Sequence, residues 1–271
     1  MGRHDRLPES VWQRGGVRLW AAAAAALCSL SMPCGAAIGA EAHPDFSGVW
    51  TWYIAPGQSP LPRGRGPALP FTALAKQKVD AYQSLVRGTS DNPGAHCLGS
   101  GMPASMLFSG GYPMEIVQHH DLILVIYEAW TEIRQLYLAD KIIPASDRIP
   151  DRNGYSTARW DGDTLIVETT ALKEQEDQTY PHSAQARILE RYHLARGPKG
   201  EQLLINDWTL TDPLFYTRPV TGEKKWALDP KGILLPYECN EEAWLDHLEA
   251  LRKAKDEPGK GRTAAATGAY P

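Results

Sequence analysis

The sequence predicts an all-β, mainly antiparallel fold with one or two short helices, a closed barrel in preference to a sandwich. Three observations point there. From residue 114 onward the apolar period is two, the repeat of a strand whose side chains alternate between faces. Asp161-Gly162 and Gly197-Pro198-Lys199-Gly200 are compact hairpin signals between such runs. Several strands are apolar on both faces, which favours closure. A barrel of about eight strands is wide enough to hold one small ligand.

The elements follow in order. Arg3, Arg6, Arg14 and Arg18 precede an apolar run over 19–32, and Ala40-Glu41-Ala42 supplies small residues at a cleavage site. That is the pattern of a secretory signal peptide over 1–42, which makes the mature chain periplasmic or secreted. The apolar run is shorter than the roughly 20 residues a membrane span needs, so no membrane span is expected. Residues 43–53 are a turn entering a strand, and 55–70 are a surface loop rich in Pro, Gly and Arg. Helical spacing over 71–86 puts Leu74, Val79, Tyr82, Leu85 and Val86 on one face, with Thr72 as N-cap. A loop over 88–111 carries Cys97 and Met102-Pro103. A strand over 114–118 and a turn at His119-His120-Asp121 lead into 122–138, one bent strand or a hairpin. Strands over 155–160 and 163–170, 185–194 and 202–211, and 217–227 complete the sheet. A short helix over 241–255 and a disordered tail over 256–271 end the chain. No repeat or linker divides residues 43–255, which read as a single domain.

Composition narrows the partners. The formal net charge of -4 excludes the concentrated basic surface of a nucleic-acid protein. Of 9 tryptophans, Trp12 and Trp20 fall in the export segment and the other seven remain. In a β-rich protein, Trp and Tyr fill wide cores and line pockets for apolar or aromatic molecules. Export also removes Cys28 and Cys34. The remaining pair, Cys97 and Cys239, forms one disulfide most simply in an oxidising compartment; a reactive thiol or metal ligand is the alternative.

Several motifs resemble those of a large family of secreted bacterial proteins with lipocalin-like β-barrels. They include Cys97-Leu98-Gly99-Ser100-Gly101-Met102-Pro103, Tyr112-Pro113-Met114-Glu115-Ile116-Val117, Gly162-Asp163-Thr164-Leu165 with Val167-Glu168-Thr169, His182-Ser183, Glu190-Arg191, Asp212-Pro213 and Tyr237-Glu238-Cys239-Asn240-Glu241. Ser47-Gly48-Val49-Trp50 is similar to the opening Gly-x-Trp strand of such barrels. Gly99-Ser100 departs from the family's usual proline in that loop. The resemblance implies a lipocalin-like barrel and an exported protein, and it implies no activity.

Charged residues inside apolar strands are the candidate chemistry. With unbroken alternation through 122–138, Glu128, Glu132 and Arg134 share a face with Trp130 and apolar neighbours. In a barrel that face points inward, where a carboxylate must be paired or protonated. If the chain instead turns near Trp130, these charges sit on a wet rim. Glu168 falls opposite Tyr155 if Asp161-Gly162 is a two-residue turn, and Glu190 lies among Ala186, Ile188, Tyr192 and Leu194. His182, in a loop entering a strand, is the histidine best placed for function. His119-His120-Asp121 reads as a polar turn. No metal-ligand, phosphate-loop or nucleophile-elbow pattern occurs, so no metal and no cofactor are expected.

Three functions remain open. The first is binding of a small apolar or aromatic molecule in a cavity lined by Trp50, Tyr127, Trp130, Tyr155, Trp160 and Glu168. The second is a cofactor-free acid–base enzyme (isomerase, lyase or hydratase) using Glu128 or Glu190 as base, with His182 or Arg134 stabilising developing charge. The third is a structural envelope protein.

Overall fold

The structure, a computed structural model, describes residues 43–57, 68–89, 92–108 and 111–239, with residues 245, 248, 249, 252 and 253 beyond them. The expected signal peptide and tail, and most of the expected C-terminal helix, lie outside the described residues. Nine strands close into a barrel in sequence order, each paired to the next and the last paired back to the first. They are β1 (Gly48–Trp52), β2 (Met114–Gln118), β3 (Leu122–Tyr127), β4 (Glu132–Leu138), β5 (Tyr155–Asp161), β6 (Thr164–Thr170), β7 (Arg187–Arg196), β8 (Gln202–Thr211) and β9 (Val220–Asp229). The described residues include no helix long and apolar enough to cross a membrane.

Every pairing is antiparallel except β4 with β5. That parallel seam requires the chain to cross back, and residues 139–154 make the crossover. Helix α1 (Ala73–Val86) begins where Thr72 Oγ1 accepts from the Ala75 amide at 3.2 Å. Its expected apolar face is only partly used: Val79, Tyr82 and Val86 are half-buried, whereas Leu74 and Leu85 face solvent.

Of the two readings left open for 122–138 the hairpin is realised, and the register of the next hairpin differs from the sequence reading. Residues 122–138 form a hairpin, with Tyr127 opposite Glu132 and the reversal at residues 128–131. Four residues between paired positions switch the inward parity from odd in β3 (Ile123, Val125, Tyr127) to even in β4 (Arg134, Leu136, Leu138). Glu128 therefore shares no strand face with Arg134. In the β5–β6 hairpin, Asp161 pairs with Thr164, so Gly162-Asp163 is the two-residue turn. Gly162, at φ 58, takes the first central position, where a Gly-x turn requires it. Glu168 consequently faces Thr157 rather than Tyr155.

Residues 101–107, including the short helix α2 (Ala104–Leu107), are buried throughout and plug the barrel. Met102 and Met106 join its core beside Trp50, Ile123, Leu136 and Trp226. Glu132, at the start of β4, holds the plug: its carboxylate accepts from the Gly101 amide at 3.0 Å, from Ser105 Oγ, and from Asn153 Nδ2 at 3.1 Å. Just before the plug, Cys97 is disulfide-bonded to Cys239, 142 residues away. A loop of that size stabilises by about 5 kcal/mol in the chain-entropy account. The bond ties down the irregular segment after β9. Glu128 fixes the same segment by accepting from the Leu235 amide at 2.7 Å, and Trp130 packs on Tyr237.

Candidate functional site

Two charged sites occupy the barrel, and they differ in how completely their charges are partnered. The first lies at its centre. Glu190 on β7 and Arg134 on β4 are fully buried and meet as a forked pair, with Arg134 Nη1 3.1 Å from Glu190 Oε1 and Nη2 against Oε2. The rest of the guanidinium is also used: Nη2 donates to Thr169 Oγ1 at 2.7 Å and Nε to Ser156 Oγ at 3.1 Å. Glu190 Oε1 additionally accepts from the Tyr192 hydroxyl at 2.6 Å and from Asn206 Nδ2 at 3.2 Å. The carboxylate holds the Arg134 guanidinium firmly protonated. Burial pushes the Tyr192 and Tyr127 hydroxyls far up, so both are neutral. A charge pair this deep survives only because its hydrogen-bonding capacity is met so fully.

The other sequence candidates are dispersed. Trp50 is core, its indole N–H donating to the Phe46 carbonyl at 2.8 Å. Tyr127 lies inside beside Arg134, while Tyr155 is on the outer surface, stacked on Tyr137 at 4.7 Å. Trp160 stacks on His43 at 4.6 Å. Glu168 faces outward and pairs with Arg187 at 2.9 Å, both partly in solvent. His182 is buried between β6 and β7, with Nδ1 3.2 Å from the Tyr180 carbonyl. Burial lowers its pKa, so the ring is neutral, and its Nε2 is buried with no partner among the described residues. Among the described residues no three His, Cys, Asp or Glu side chains converge as metal ligands would.

The second site is a lateral cleft. Strand β1 pairs only with Trp226–Asp229 of β9 and ends at Trp52. Residues 220–225 of β9 thus continue past β1, and the barrel wall opens beside them. A cleft of about 360 Å³ lies there, between β9 and the far bank formed by Leu107, Phe108 and Tyr180. Aromatic rings dominate it: Trp52 on β1, Trp208 on β8, Phe108 beyond α2, and Tyr180 from the loop before β7. Tyr180 stacks on Phe108 at 6.1 Å and meets Trp208 edge-on at 5.2 Å. Gly222 makes room for Trp208 opposite, since a Cβ there would come within 2.7 Å of the indole.

Lys224 is the charged group of the cleft. It shares the inward face of β9 with Trp226, its Nζ donates to the Leu107 carbonyl at 2.9 Å, and it lies 4.0 Å from the Trp52 ring centre. Burial pushes its ammonium down to about 8, so it stays mostly protonated at neutral pH. The Trp208 indole N–H is buried and has no acceptor among the described residues. Sequence reasoning missed this site. The signal was the one that picked out Glu190: Gly222, Lys224, Trp226 and Leu228 alternate on one face, with a charge in an otherwise apolar row.

Fold and site together define a disulfide-linked, plugged nine-stranded barrel with an aromatic cleft in its wall. Comparisons of the chain with protein-family models, with curated proteins and with solved structures return no match.

Proposed function

We propose that this chain is an exported binding protein that holds a small aromatic or apolar molecule in the lateral cleft. One observation carries the reading: five aromatic residues line an opening of about 360 Å³, within the size range of small-molecule sites. The centre of the barrel is filled by α2 and its flanking residues, and the Arg134–Glu190 pair there is fully engaged. An acid–base enzyme built on Glu190 has less support, since a catalytic base needs a free lone pair facing substrate. The disulfide suits an oxidising compartment, and with the Ala40-Glu41-Ala42 site it supports a periplasmic or secreted address. The resemblance to secreted lipocalin-like barrels agrees with both.

The test uses a neutral aromatic probe, N-phenyl-1-naphthylamine, titrated into the oxidised mature chain. Saturable one-to-one binding that weakens at least about tenfold, roughly 1.4 kcal/mol, in Trp52→Ala supports the cleft. Absence of saturable binding, or binding indifferent to Trp52→Ala and Phe108→Ala, overturns it.

A further inference from the structure

We propose that the lateral cleft selects anions, and that its ligand is a one- or two-ring aromatic carboxylate anchored by Lys224 and the Trp208 indole N–H. The inference rests on the cleft being the binding site and adds the chemical class of what it takes. An ammonium has three hydrogens to donate, and Leu107 accepts only one of them. Trp208 has a single N–H, and it is buried without an acceptor. It is one of nine such side-chain atoms among the described residues, and with the Tyr53 hydroxyl one of two on residues that line the cleft; a buried donor of this kind calls for a group that the described residues do not supply. Both donors belong to residues lining one cleft, and a carboxylate has the lone pairs to satisfy both.

The sign of the charge is equally specific. Glu223, the one carboxylate lining the cleft among the described residues, already pairs with Lys225 at 2.8 Å. Lys224 lacks a carboxylate partner among the described residues and meets a carbonyl and the faces of Trp52 and, at 5.9 Å, Trp226. A cationic ligand would meet Lys224 as a like charge at a partly desolvated site. A neutral ligand would stack on the rings but leave the ammonium and the indole N–H as they are. An aromatic acid uses the rings and the donors together, and a charge-assisted hydrogen bond is about twice as strong as a neutral one.

The experiment compares 2-naphthoate with its neutral counterpart 2-naphthalenemethanol by calorimetry on the oxidised mature chain. Naphthoate should bind at least about tenfold more tightly. Lys224→Met, which keeps the apolar stem, should collapse that ratio to within about twofold, while Lys224→Arg should retain most of it. Trp208→Phe, which removes the N–H together with part of the ring, should lower the ratio severalfold. Equal affinities in the parent protein, or a ratio that survives Lys224→Met, overturn anion selection. In that case the cleft reading stands as long as both probes still depend on Trp52. If neither probe binds, or Trp52→Ala changes neither affinity, the cleft reading fails and anion selection fails with it.

Discussion

The centre of the barrel holds a fully buried cation and the cleft in its wall a half-buried one, and the two are treated in opposite ways. Arg134 meets a carboxylate, two hydroxyl groups and a rigid frame of four strands. Lys224 meets one carbonyl and the faces of two indoles. A saturated charge has nothing left to offer a ligand, and its removal is a folding problem. An under-partnered charge is tolerated at some cost in stability, the usual mark of a residue kept for binding. Burial alone would have ranked Arg134 first as a site residue; counting unused donors reverses the order.

The largest effect should come from breaking the central pair. Arg134→Met strands Glu190 at full burial and should destabilise by about 3–5 kcal/mol. The double variant Arg134→Met, Glu190→Leu should recover most of that loss in urea unfolding, because the pair's main cost is leaving one charge alone. If the single variant lost less than about 1 kcal/mol, the centre would not be the closed network described.

Lys224 should behave oppositely. Its folded-state pKa of about 8 lies below the ordinary 10.5, so the unfolded chain binds the proton more readily. The cost is present in full below about pH 8 and fades as pH rises toward 10, where the folded-state amine is neutral. Lys224→Met should therefore raise stability near pH 7, by on the order of 1 kcal/mol after allowing for partial exposure. The gap between the two proteins should shrink between pH 8 and pH 10. Tyr53, Tyr180, Glu223 and Lys225 are the other titratable groups of the cleft. Burial raises the Tyr53 and Tyr180 hydroxyls, and Glu223 and Lys225 already pair with one another. A gap that widens with pH would contradict this account of the lysine.

The smallest effect belongs to Glu168. Its pair with Arg187 is exposed on the outside of the barrel, so Glu168→Gln should shift stability by no more than about 0.5 kcal/mol. A larger shift would mean that inward and outward positions on β6 have been exchanged.

How far the sequence revealed this molecule follows from where its signals are local. Thr72 capped its helix and the later hairpins formed, because caps and tight turns are written within a few residues. The reversal at residues 128–131 was legible only as an alternative to an unbroken strand. It places Trp130 and Thr131 at positive φ without a glycine or asparagine to announce it. The parallel β4–β5 seam has no local signature, and the crossover before it looks like any polar loop. Glu190 was identifiable from its apolar neighbours, yet its partner Arg134 lies 56 residues earlier and depends on closure. The cleft was harder still. It exists because β1 stops four pairs into β9, a fact of strand length and register, and because Phe108 and Tyr180 arrive from separate loops.

The central claim is that ligands enter at the wall and leave the centre untouched. The indole N–H resonances of an isotope-labelled sample, titrated with 2-naphthoate, test it most directly. Trp208 and Trp52 line the cleft, whereas Trp50 is sealed in the core with its N–H bonded to Phe46. Single Trp→Phe variants assign the signals. The account predicts saturable shifts of the Trp208 and Trp52 signals with Trp50 unmoved. Movement of Trp50 alone, or saturable binding that leaves Trp208 and Trp52 in place, would contradict it.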